Sequence, residues 1–196
     1  MQFHNNGSHR KAGFPARWTD NGRGIPSVTE VLGHGDQTAA AGNSPYDRLK
    51  ALGIVLPKAP PPVANFVTAV RDGDLLFLSG QGPLEPSGVE HRGKVGADVT
   101  IEQAYAHARI VGINLLAVIH EQAGSLAKVR RVLKVLGMVN ADPLFTEHPK
   151  VINGCSDLFV DVFGEAIGRH ARSAVGMGSL PGQITVEIEA VVAISD

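Results

Sequence analysis

Apolar positions along the chain switch between helical and strand spacing, and each switch predicts an element boundary. From Thr100 onward, Ala104, Ala108, Val111, Leu115 and Val118 recur at intervals of three and four, the stripe of a long amphipathic helix. Thr100 and Gln103 match a capping box at its start, and Gly124 supplies the left-handed residue that ends it. A second stripe, Ile152, Cys155, Phe159 and Val162 or Phe163, begins at Pro149 and stops at Gly164, which places Cys155 in the core. The apolar run from Val129 to Val139 between the two helices reads as a strand.

The same reading continues on both sides of the helices. Ser44-Pro45-Tyr46-Asp47 combines an N-cap serine, a proline at the first helical position and an acid in the first turn, so a short helix is expected through Leu52. Pro57 to Pro62 lacks backbone donors and is an extended connector. Phe66–Val70 and Leu75–Ser79 flank Arg71-Asp72-Gly73-Asp74, a hairpin composition that closes at Gly80-Gln81-Gly82-Pro83. Leu84 to Asp98 is punctuated by Gly and Pro and is expected to be a loop, with at most a short strand near Lys94. Arg172 to Gly178 reads as a strand, Ser179-Leu180-Pro181-Gly182 as a turn, and Ile184 to Ile194 as a closing strand. After the leading helix the order is ββαβαββ, an α+β domain over residues 44–196.

In the closing strand Ile184, Val186, Ile188 and Ala190 share one side, and Glu187 and Glu189 point to the other. Two helices on one face of such a sheet leave a partly apolar face bare, and packing sheets of several copies together would bury it. Residues 1–43 have no sustained period and are expected to form a disordered extension. Its Gly-His-Gly-Asp stretch within Gly33–Ala40 lacks the apolar strand and Lys-Ser/Thr ending of a phosphate loop.

Composition narrows the classes of partner. With 196 residues, 43% of them hydrophobic, the chain can bury one substantial core. A net charge of -1 and two tyrosines offer little for tracking phosphates or stacking bases, so nucleic acid is not a favoured partner. The single Cys155 cannot form an internal disulfide, no paired Cys/His metal motif is present, and no apolar run is long enough for a bilayer span. A cytoplasmic protein is the expectation.

Three segments then carry a resemblance. Leu76-Phe77-Leu78-Ser79-Gly80-Gln81 resembles the Ser-Gly-Gln strand end of the YjgF/RidA family. His170-Ala171-Arg172-Ser173-Ala174-Val175, through Leu180-Pro181, resembles its Pro-Ala-Arg-Ser segment. Val186-Glu187-Ile188-Glu189-Ala190 resembles its closing strand. The motifs occur in the family's order between Leu52 and Ile194. The resemblance implies a chorismate-mutase-like subunit, a homotrimer around a central barrel, and clefts between subunits. The implied activity is hydrolysis of enamine or imine intermediates, such as 2-aminoacrylate, to a keto acid and ammonia without metal or organic cofactor.

On this resemblance Arg172 binds the substrate carboxylate, a task suited to a planar, permanently charged guanidinium with paired donors. A structural ion pair or a sheet-edge arginine is the plainer role for it. Glu187 aligns with a glutamate that orients the attacking water, although it or Glu189 could equally be a solvated residue or a partner for Arg131 or Lys134. Asn153 aligns with a site asparagine, and backbone groups of Gly80 and Ala174 would add contacts. The family tyrosine maps to Phe66, so the ring is kept and the hydroxyl lost. Ala174 replaces a family cysteine. His170, two residues before Arg172, is a candidate proton carrier near neutral pH. The other class of function is a binding module that senses a carboxylate metabolite such as a 2-keto acid. An endoribonuclease or translation inhibitor, also attached to parts of the family, ranks last on charge.

Overall fold

A computed structural model describes residues 44–196. The expected extension over residues 1–43 lies outside the described residues. The leading helix α1 (Pro45–Ala51) starts with the capping box of Ser44 and Asp47 and carries a single buried side chain, Leu49. The hairpin β1 (Ala69–Asp72) and β2 (Leu75–Gln81) follows, then α2 (Ile101–Ala123), β3 (Val129–Asn140), α3 (His148–Phe163), the one-turn α4 (Glu165–Gly168), β4 (Ala171–Met177) and β5 (Val186–Ile194). Apart from the one-turn α4, which was not expected, the chain has the expected ββαβαββ order after α1.

The hairpin starts three residues later than expected. Phe66 and Val67 precede β1, and Val67 and Thr68 are held to β2 by isolated bonds, from Ser79 N to Thr68 O and from Ser79 Oγ to Val67 O. Asp72 pairs with Leu75, and Gly73 takes φ +55 at the first central position of the turn, a conformation that costs glycine nothing. Ile184 is likewise outside β5. It forms an isolated bridge with Arg92, so the closing strand begins at Val186. The loop through Lys94 contains isolated bridges at Leu84, Arg92 and Val95. Lys94 Nζ ties this loop to Asn140 Oδ1 at 3.0 Å and Gly178 O at 2.8 Å.

The five strands form one mixed sheet in the order β1-β2-β5-β3-β4. All neighbours are antiparallel except β3 and β4, whose parallel register sets Val135 beside Arg172 and Met138 beside Val175. Helix α2 lies over β5 and β2, and α3 over β3 and β4, so both helices cover the same face. Between them and the sheet the predicted stripes are fully buried, among them Val111, Leu115, Val118, Ile152, Cys155 and Phe159. Burial pushes the Cys155 thiol far up, leaving it an inert packing residue.

Close helix packing needs glycine at two points. A Cβ on Gly154 would run into the Tyr105 carbonyl of α2, and one on Gly112 would meet Leu158 and Cys155 of α3. On the other face of the sheet, Val70, Phe77 and Val175 are exposed, with Leu136, Met138 and Val191 partly so. Lys134, Ser173, Glu187 and Glu189 stand among them by register.

Candidate functional site

Arg172 sits near the start of β4, at the sheet edge, and its side chain turns toward α3. Nη1 donates to Asn153 Oδ1 and Ser156 Oγ, each at 2.9 Å, and Nη2 donates to the Pro149 carbonyl at 3.4 Å. Asn153 and Ser156 are three residues apart and therefore share one face of the helix. All three acceptors are neutral, and Arg172 makes no ion pair with a carboxylate among the described residues. Of the five guanidinium hydrogens, those on Nε and one on Nη2 remain, which is a donor pair along one edge of the fork. The plainer role as a structural ion pair therefore has no partner here.

The cleft beside this guanidinium has a volume of about 530 Å³ and is also lined by Asp157, Asp161, Glu165, Arg169 and His170. Each acid is engaged elsewhere. Asp157 accepts from the Tyr105 hydroxyl at 2.9 Å, Asp161 pairs with Arg109 at 3.4 Å, and Glu165 pairs with Arg169.

His170 Nδ1 is 2.7 Å from the Gly168 carbonyl and Nε2 is 3.0 Å from Ser156 Oγ. Burial, and secondarily the charge of Arg172, lowers its pKa below the ordinary histidine value, against the Gly168 bond that raises it. The lowered pKa favours the neutral ring, with the proton on Nδ1 donated to the Gly168 carbonyl. Both ring nitrogens are thus engaged, Nδ1 with a carbonyl and Nε2 with a hydroxyl.

Glu187 lies on the opposite face of the sheet. It alternates with buried Val186 and Ile188, and pairs in register with Met138. Neither Glu187 nor Glu189 forms an ion pair with Arg131 or Lys134, and Lys134 Nζ instead donates to Ser173 Oγ at 2.8 Å. Burial first, and the neighbouring Glu189 second, raise the Glu187 pKa. A glutamate so shifted is a stronger base than an exposed one. Its carboxylate rests over Gly80, where any Cβ would collide with it. The β2–β5 register slips between Leu78 and Gln81, so Ser79 and Gly80 form a bulge that opens this approach. Phe66, Gly80 and Glu187 line a second cleft of about 510 Å³ with Leu84, Pro181 and Ile184.

The residues expected to act together thus fall into two groups within one chain. Asn153, His170 and Arg172 are on the helix side of β4. Ala174, whose register partner Gly137 faces Ile152, packs on that side too. Phe66, Gly80 and Glu187 belong to the other cleft. Strand β3 separates Arg172 from Glu187, which is roughly 10 Å across the strands alone. Ser156 was not singled out from the sequence, and its spacing from Asn153 is the one signal that could have found it.

Among the described residues no group of His, Cys, Asp and Glu could hold a metal ion. No described helix is long and apolar enough to cross a membrane.

Comparison with known proteins agrees with the motifs. Residues 46–185 match the family model described as "YjgF/chorismate mutase-like, putative endoribonuclease". Protein TCP17 of Trypanosoma cruzi is 41% identical over 148 residues, covering 76% of this chain and 92% of that one. The crystal structure of Atu1372 from Agrobacterium tumefaciens, a protein of unknown function, is 44% identical with a TM-score of 0.69, covering 78% of this chain and 93% of that one. A structure from Shewanella oneidensis described as a "putative endoribonuclease" is 31% identical with a TM-score of 0.74, covering 78% of this chain and all of the other. With its motifs in order, its sheet topology and these matches, the chain belongs to the YjgF/chorismate mutase-like family.

Proposed function

We propose that the protein hydrolyses 2-imino acids and their enamine tautomers, of the 2-aminoacrylate type, to a 2-keto acid and ammonia in clefts between the subunits of a homotrimer. The observation that carries this reading is the Arg172 guanidinium, held by three neutral oxygens with a donor pair left over and no carboxylate of its own. A positive charge fixed in that way lacks a counter-ion, and a small carboxylate matches its geometry.

The chemistry needs a water activated against the imine carbon. Water adds to C=N, a proton moves to nitrogen, and the resulting carbinolamine collapses to C=O with loss of ammonia. A carboxylate with a raised pKa, such as Glu187, suits the proton-accepting role. Arg172 and Glu187 are on different faces of one sheet, so a single cleft containing both takes Arg172 from one copy and Glu187 from its neighbour. The bare apolar face of Val70, Phe77, Leu136, Met138 and Val175 supports such an assembly, since exposed patches of this kind are commonly buried between subunits.

One observation favours a second reading, a carboxylate-binding module without catalysis: Phe66 brings no hydroxyl to the Glu187 cleft. The two readings separate in one assay. Freshly generated 2-iminopropionate and bulkier 2-imino acids are mixed with the protein, and the remainder is trapped with semicarbazide. Faster loss that disappears in Arg172→Ala supports hydrolysis, whereas no acceleration for any imino acid transfers the site to the binding module.

A further inference from the structure

We infer that Ser156 and His170 are positioning residues which fix the carboxylate-binding fork of Arg172, so that this pair sets the affinity of the site for 2-keto and 2-imino acids. The inference rests on the reading of Arg172 given above.

The directions of the hydrogen bonds follow from chemistry. A backbone carbonyl only accepts, so the Gly168 carbonyl, 2.7 Å from His170 Nδ1, requires the proton on that nitrogen. Nε2 of the neutral ring is then an acceptor, and the group 3.0 Å away that can donate to it is the Ser156 hydroxyl. A guanidinium only donates, so Arg172 Nη1 gives its hydrogen to the same hydroxyl oxygen at 2.9 Å. Arg172 donates to Ser156, Ser156 to His170, and His170 to Gly168. With both ends fixed, the hydroxyl cannot reverse without leaving one partner unsatisfied.

The far end of the chain is anchored. Gly168 is buried, its N–H donates to the Gly164 carbonyl at 2.7 Å, and a Cβ there would strike the Phe159 carbonyl. His170 also packs edge-on against Phe159, with ring centroids 6.0 Å apart. The core of α3 therefore holds the histidine, the histidine orients the serine, and the serine fixes Nη1.

A neutral relay of this kind serves a purpose that an acid would not. A carboxylate beside Arg172 would orient it and also neutralise it. Without the relay, Asn153 and the longer Pro149 contact remain, and Asp157 and Asp161 line the same cleft as alternative partners. An arginine that swings to either acid is lost to a ligand.

The test is calorimetric titration of the purified full chain with pyruvate, beside Ser156→Ala, His170→Leu, His170→Gln, the Ser156→Ala/His170→Leu double variant and Arg172→Ala, with melting temperatures recorded for each. Arg172→Ala should abolish binding, and Ser156→Ala and His170→Leu should each weaken it roughly tenfold. The double variant should be no weaker than either single one, because both break the same relay. His170→Gln, whose side-chain carbonyl can accept from Ser156, should restore most of the affinity. Native-like binding by folded Ser156→Ala, or His170→Gln as weak as His170→Leu, overturns the relay while leaving the Arg172 site in place. Failure of the native protein to bind pyruvate overturns the reading of Arg172 and the relay with it.

Discussion

Arg172 and Glu187 are opposite cases of charge in a partly buried setting. Arg172 is surrounded by neutral acceptors, whereas Glu187 has little to offset its desolvation and its pKa is raised. A raised carboxylate pKa means that folding favours the protonated form. Its stabilising contribution is therefore complete below the ordinary carboxylate value and is lost as pH rises through the raised one. At neutral pH the Glu187 charge weakens the fold. Glu187→Gln should raise the melting temperature at pH 7, by about 2 °C. The same variant should lose imine hydrolysis, while pyruvate binding at Arg172 survives. Thermal melts and the trapping assay read both. At this scale motif order singled out Arg172, Asn153 and Glu187, and the structure sets Asn153 against Arg172 and Glu187 on the other face, whereas the contacts of His170 were not legible. A histidine two residues before an arginine on one strand carries no sequence signal of its partners, and the Gly168 carbonyl and the Ser156 hydroxyl on its two ring nitrogens emerge only from the fold.

At the scale of elements, α2 was legible because capping box, stripe and stop glycine agree, α1 through its capping box and Pro45, and α3 through Pro149, its stripe and Gly164. The start of the hairpin was less so. Phe66 and Val67 have strand-forming side chains, but they follow the proline run, Phe66 N–H turns back to the Ala64 carbonyl, and Val67 meets β2 only through the Ser79 hydroxyl. The closeness of α2 and α3 depends on Gly154, which lies between Asn153 and Ser156. Gly154→Ala should force the helices apart, at a cost of about 2 kcal/mol. It should also weaken pyruvate binding, because the same helix carries the groups that hold Arg172. A drop in the urea midpoint without any loss of affinity would detach the packing from the site.

The loop that walls the Glu187 cleft has its own pH sensitivity. Asn114 Nδ2 holds it through the carbonyls of Gly82 and Leu84, at 3.1 and 2.9 Å. His91 stacks on His107 of α2 with centroids 4.1 Å apart, beside Glu85. Burial first, and His91 second, lower the His107 pKa from 6.5 to about 4, against Glu85, which raises it. For a base with a lowered folded-state pKa, stability is present above the ordinary value and is lost as pH falls toward the lowered one. The melting temperature should therefore decline between pH 6.5 and 4. The decline should be shallower in His107→Gln, and equal slopes would remove His107 as its source.

Across the whole molecule, the linear order does not disclose where β4 goes. It is joined to β5 by the segment 178–185 alone, yet it pairs in parallel with β3 at the sheet edge while β5 inserts between β3 and β2. That arrangement sends Arg172 to the helix face and Glu187 to the bare face, a separation that alternation within each strand cannot reveal. The apolar bare face was expected from the period of the closing strand. Phe77 on it is exposed and opposes Val191 in register. Joining that face to another copy is what would turn two half-sites into one.

Mixing two inactive variants tests this most directly. Arg172→Ala and Glu187→Gln are unfolded together in equal amounts, refolded, and assayed for 2-iminopropionate hydrolysis against native protein treated in the same way. Clefts built from two copies predict recovery of about a quarter of the native rate, since half the clefts keep Arg172 and half of those face a subunit that keeps Glu187. A mixture as inactive as its separate components, when the refolded native protein is active, would contradict a site shared between subunits.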